Sequence, residues 1–162
     1  MQYIYMNHLL SVIGYWGPMI LLVTTAYGII LYKPAFMDYY IIFYFVGFIL
    51  NCIIKMIIRQ PRPKNQIHLY DFERNNGFKK ASGQNFGMPS GHAQTCFYSL
   101  FTTIFVVKNI FFTLSTIAIT CITCWQRYAY RNHTLLQLLV GSIVGILCFG
   151  LANMVYTNRL IS

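Results

Sequence analysis

Phe86-Gly87-Met88-Pro89-Ser90-Gly91-His92-Ala93-Gln94 stands where a polar, basic stretch runs into a long apolar one. Pro89 suits the first position of a helix, Ser90 is a good cap, and Gly91 lets a ligand approach the backbone closely. Unpaired N–H groups in such a first turn, at the positive end of the helix dipole, form an anion site, and His92 adds an imidazole beside it. Phosphate fits that description best. Two further groups could join it. Lys55 and Arg62-Pro63 are seven residues apart, a spacing that returns to nearly the same helical face after two turns, and Arg59 shares that face. Arg127 and His133, followed by Gln137 one helical turn later, make the third. Each group alone has an ordinary structural reading: Pro-Ser-Gly is a common loop-to-helix junction, and basic residues at helix ends commonly snorkel.

These side chains need a scaffold, and composition says what kind. Charged residues are 9% of the 162-residue chain, against about 25% in an average soluble protein, while 57% are hydrophobic and mean hydropathy is +0.53. An all-α, polytopic membrane bundle of about five transmembrane helices follows, one domain over 1–162, with the active site at one membrane face. The spans are expected at about 12–32, 39–58, 90–107, 110–125 and 134–156, with residues 1–11 as an interfacial lead-in and 59–89 as the active-site loop. Without a basic stretch before its apolar part, the N-terminus reads as a retained helix and not as a cleaved signal. Five spans put the 59–89 and 126–132 loops on the same side. Twelve Lys and Arg against Asp38, Asp71 and Glu73 give a net charge of +9. The basic residues gather at segment ends and form no continuous stripe, which disfavours nucleic acid and favours anionic lipid or a phosphorylated substrate. Cys52, Cys96, Cys121, Cys124 and Cys148 all lie in apolar runs and read as packing residues without a disulfide framework. Gly141-x-x-x-Gly145 reads as a helix-packing face.

In order, Lys55-x6-Arg62-Pro63, Pro89-Ser90-Gly91-His92 and Arg127-x5-His133 resemble the three-part signature of the type 2 phosphatidic acid phosphatase superfamily, which also includes vanadium-dependent haloperoxidases. The resemblance covers Lys55 to about Gly141. It implies that Lys55, Arg62 and Arg127 hold phosphate oxygens, with Ser90 and Gly91 completing the cradle. It implies His133 as the nucleophile of a phosphohistidine intermediate, and His92 as the acid and then the base. No metal or other cofactor is expected, since the cationic side chains supply the charge and three scattered acids make a poor magnesium site.

The superfamily pattern has an acid four residues after the nucleophile, where this chain has Gln137. An amide oxygen can orient His133 but supplies no charge, and a turned amide would favour the wrong tautomer. Gln126 also replaces the Ser that commonly precedes the Arg. Phe86 to Gln94 and His133-Thr134-x-x-Gln137 are similar to the dolichyl-diphosphatase branch, apart from Gly91, where that branch often has Ser. That likeness implies a polyisoprenoid diphosphate cleaved to its monophosphate, in the endoplasmic reticulum or an equivalent membrane, with no obligate protein partner. A broader phosphatidate phosphatase and a non-catalytic lipid-phosphate binder are the alternatives; the short, membrane-spanning chain disfavours a haloperoxidase. Nine Lys and Arg fall on the active-site side and three (Lys33, Lys108, Arg159) opposite. The positive-inside rule therefore makes the site cytosolic, whereas the resemblance implies a lumenal one.

Overall fold

Helices in lipid satisfy their own backbone and turn apolar side chains outward, so their polar side chains must find partners within the bundle. The structure, a computed structural model, describes residues 8–70, 83 and 85–161. Asp71, Glu73, Arg74, Lys79 and Lys80 of the long loop lie outside them. Among the described residues are five α-helices and no strand: α1 (His8–Tyr32), α2 (Met37–Ile58), α3 (Gly91–Thr102), α4 (Ile110–Ala129) and α5 (Leu135–Ile161). A 3-10 turn, Pro34–Phe36, precedes α2, and a π-helical turn, Thr103–Val107, continues α3.

Four of these described segments are long and apolar enough to cross a membrane, and α3 is the one that is not. Its position supplies the reason. It touches every other helix, and its buried residues include Gln94, Ser99 and Thr102. A helix enclosed by protein need not match the bilayer in length or polarity. Outward-facing Val23, Ile57, Phe111 and Leu147 are more than half exposed, as lipid contact demands.

Hydroxyl pairs and small residues hold the helices together. Tyr40 Oη pairs with Ser99 Oγ at 2.9 Å, and Tyr98 Oη donates to the Tyr40 carbonyl at 2.8 Å, with the two rings stacked at 5.1 Å. The Gly141-x-x-x-Gly145 face of α5 lies directly on the backbone of α3. A Cβ at Gly141 would meet the Ser90 carbonyl, and one at Gly145 the Gln94 carbonyl.

Three boundaries differ from expectation. Helix α1 begins at His8, where Ser11 is buried and accepts a hydrogen bond from Tyr130 Oη at 2.7 Å. Helix α4 runs on through Gln126 and Arg127 because both are buried. Helix α5 extends to Ile161, and Arg159 in its last turn donates to Tyr39 Oη at 3.2 Å.

Candidate active site

Helix α2 ends at Ile58, four residues before Arg62. Arg59 adopts a left-handed conformation with φ 51, its N–H bonds the Lys55 carbonyl at 2.9 Å, and Pro61 and Pro63 bar continuation. The helical-face argument for Lys55 and Arg62 therefore fails. They come together through a turn instead. Arg59 stays exposed, its Nε on the Met56 carbonyl.

That turn is stitched to the other two groups by backbone bonds. The Gly87 N–H donates to the Gln60 carbonyl at 2.7 Å, the Ser90 N–H to the Gln137 carbonyl at 3.0 Å, and the Ile67 N–H to the Tyr130 carbonyl at 2.9 Å. Lys55, fully buried, donates from Nζ to the Phe86 carbonyl at 3.0 Å. Arg62 Nη1 reaches the Asn132 carbonyl at 3.4 Å. Arg127 is 5% exposed; its Nη1 bonds Gln126 Oε1 at 3.4 Å and its guanidinium stands 5.7 Å from the Tyr15 ring centroid. Gln126, where the family pattern commonly has Ser, is thus a partner of that arginine.

His133 sits where these segments meet, 2% exposed. Its Nδ1 is 2.9 Å from the Gly87 carbonyl and 3.3 Å from Gln137 Oε1. A carbonyl only accepts, so Nδ1 carries the proton and Nε2 keeps its lone pair. The orientation of the Gln137 amide is likewise fixed by backbone. Its oxygen accepts from the Thr134 N–H at 3.1 Å, and its nitrogen donates to the Pro61 carbonyl at 3.0 Å and to Gln60 Oε1 at 2.9 Å. Turning it would set donor against donor and acceptor against acceptor, so the wrong tautomer is excluded. Burial, followed by the charges of Arg62, Arg127 and Lys55, holds the His133 imidazole well below its ordinary range. It is neutral at pH 7.

The start of α3 differs from expectation in detail. Ser90 is the N-cap, its Oγ accepting from the Ala93 N–H at 3.4 Å, and Pro89 precedes the helix. Since the Ser90 N–H is taken by the Gln137 carbonyl, it cannot serve an anion. With the Ala93 and Gln94 N–H groups on Ser90 Oγ and the Ser90 carbonyl, the donors left for one are the Gly91 and His92 N–H groups and the Ser90 hydroxyl. The His92 ring hydrogen-bonds the Tyr15 backbone and lies 6.3 Å, centroid to centroid, from the Tyr15 ring. A cavity of about 300 Å³ between α1, α2 and α3 is lined by His92, Gly91, Asn51, Tyr15 and Phe43 among others. His133 lines a different cleft, with Pro63, Lys64 and Thr134.

Hydrogen bonds thus join the segments carrying Lys55, Arg62, Ser90, Arg127, His133 and Gln137, while Gly91 and His92 face a separate cavity and Arg59 lies outside. Three positions that matter to the site were missed. Gly87 serves through its carbonyl, Gln60 through both its carbonyl and its amide, and Tyr15 by holding His92. Gln60 stands directly before Pro61-Arg62-Pro63, which is a signal of sorts; Tyr15 carries none. Comparison with known families matches residues 36–161 to the model described as the PAP2 superfamily. No curated protein and no solved structure gives a match. With a match over most of its length, the chain belongs to the PAP2 superfamily, whose members are generally phosphatases.

Proposed function

We propose that the protein is an integral membrane lipid phosphatase that hydrolyses a polyisoprenoid, dolichyl-type diphosphate to its monophosphate, without a metal ion, through a phosphohistidine at His133. Lys55, Arg62 and Arg127 hold the phosphate oxygens, assisted by Gly91 N–H and the Ser90 hydroxyl. Arginine offers planar forks and lysine a compact charge, and both gain strength in a buried site. His133 Nε2 attacks phosphorus. His92 protonates the leaving oxygen and then takes a proton from the attacking water.

The observation that carries this reading is the clamp on His133. Its Nδ1 proton is held by the Gly87 carbonyl, with the Gln137 amide locked beside it. In this chain a backbone carbonyl and an amide do the orienting for which the family pattern uses an acid. Gln137 is therefore compatible with catalysis, and the Gln-bearing dolichyl-diphosphatase likeness supports the diphosphate over phosphatidate.

The test is phosphate release from detergent-solubilised protein offered polyisoprenoid diphosphate and phosphatidate in parallel, with EDTA present. The diphosphate should turn over faster, with chelator making no difference. Faster turnover of phosphatidate would overturn the substrate assignment, and lipid binding without release would make the protein a binder.

A further inference from the structure

Asn51 lies one turn before Lys55 on α2, is 2% exposed, and has no role in the scheme so far. The direction of its amide is dictated by a chain of partners that begins at backbone. The Gly47 carbonyl can only accept, so it takes Gln94 Nε2, at 2.7 Å. Gln94 Oε1 must then face the other way, and it takes Asn51 Nδ2 at 2.7 Å. Asn51 Oδ1 is thereby turned toward the start of α3. It lies 3.6 Å from the point where a Cβ on Gly91 would stand. Among the described residues this buried oxygen has no hydrogen-bond partner. Asn51 lines the same cavity as Gly91 and His92. A buried amide oxygen left without a donor is costly, and Asn51 stands in the wall of the cavity it shares with Gly91 and His92, so a donor brought by a ligand is called for.

The two halves of the proposed reaction, on which this inference rests, bring different donors to that point. In the first, the His133 Nε2 lone pair forms the P–N bond. The bond from the terminal phosphorus to the bridging oxygen breaks, and its electron pair stays on that oxygen of the departing lipid monophosphate, which takes a proton from His92. The departing group carries one hydrogen on that oxygen, shared with His92. In the second, water oxygen forms the new P–O bond, the P–N pair returns to Nε2, and one water proton passes to His92. The other hydrogen remains on the attacking oxygen throughout. Water alone therefore has a hydrogen left for a second acceptor.

We propose that Asn51 is a further catalytic residue, whose Oδ1 accepts the second hydrogen of the hydrolytic water and so favours water over an acceptor with a single hydrogen, an alcohol or the departing lipid monophosphate, as the acceptor of the phosphoryl group. Gln94 is its positioning residue, acting only through the Asn51 amide. Both effects fall on the second half-reaction, because the departing oxygen of the first has no second hydrogen to offer.

The experiment offers the solubilised enzyme a lipid diphosphate labelled in its terminal phosphate, in buffer containing a fixed concentration of methanol. The ratio of methyl phosphate to inorganic phosphate is measured, together with the label trapped on protein at steady state. Asn51→Ala should raise the ratio about tenfold, the loss expected for one hydrogen bond, and increase the trapped label. Gln94→Leu, which frees the Asn51 amide to turn without touching the water, should shift the ratio the same way, and it stands in if Asn51→Ala does not fold. A merely structural role would lower total turnover and leave the ratio alone. An unchanged ratio in a folded, active variant overturns the inference. If the wild type itself traps no label and releases no phosphate, the underlying phosphatase reading has failed instead.

Discussion

Gln137→Glu puts back the charge that the family pattern has and this chain lacks, and the structure says what it must do. The new carboxylate keeps one oxygen on the Thr134 N–H and beside His133 Nδ1, where Gln137 Oε1 now lies at 3.1 and 3.3 Å. At about 4 Å and an effective dielectric near 20, a carboxylate attracts an imidazolium by about 4 kcal/mol. Neutral His133, at present held below its ordinary range by burial and by Arg62, Arg127 and Lys55, must then protonate at higher pH. The second carboxylate oxygen, however, replaces a nitrogen that donates to Gln60 Oε1 and the Pro61 carbonyl. Two acceptors lose their donor in a site that is 1% exposed, at about 1–3 kcal/mol each. The variant should therefore be less thermostable, while the acid limb of its kcat/KM profile moves to higher pH. Thermal unfolding in detergent and a pH series of phosphate release measure the two effects. A profile superimposable on wild type would refute the contact between residue 137 and His133.

Arg62→Gln removes the largest charge acting on His133, so the acid limb should again move up in pH, here with weaker phosphate binding read as a raised KM. Because the folded chain holds the His133 pKa down, the unfolded chain binds the extra proton. His133 should thus cost the fold stability as pH falls below about 6.5, and His133→Gln should flatten that dependence in thermal melts from pH 7 to 5. His92→Ala should slow turnover by about 10²–10⁴-fold, the range for a positioned proton donor, and equal turnover would remove it from the mechanism. Gly141→Ala forces a methyl against the Ser90 carbonyl, where backbone cannot yield; a loss of about 1–3 kcal/mol in stability is expected, and a wild-type melting curve would contradict the packing.

The charge-poor apolar runs made the helices legible, and the ordered basic and histidine groups made the site legible. What the sequence hid were consequences of packing. Helix α3 is enclosed, so it escapes the length rule that lipid imposes on its neighbours. Gln126 and Arg127 read as a polar break because hydropathy cannot tell a loop from a helix whose polar side chains pair inward. Arg62 reaches the site through the Arg59 turn, a route that residue spacing misassigned to helical periodicity. The most consequential omission, the Gly87 carbonyl, belongs to a backbone atom that no residue type advertises. Only the space left beside it by glycine, filled by the Gln137 amide, hints at its use.

Phosphorylation of His133 Nε2 is tested most directly by rapid quench of the solubilised enzyme with terminally labelled polyisoprenoid diphosphate. Label is expected on the protein, stable to alkali, labile to acid, carried on His133 and absent from His133→Ala. Wild-type turnover with no label on His133, or equal turnover by His133→Ala, would contradict it.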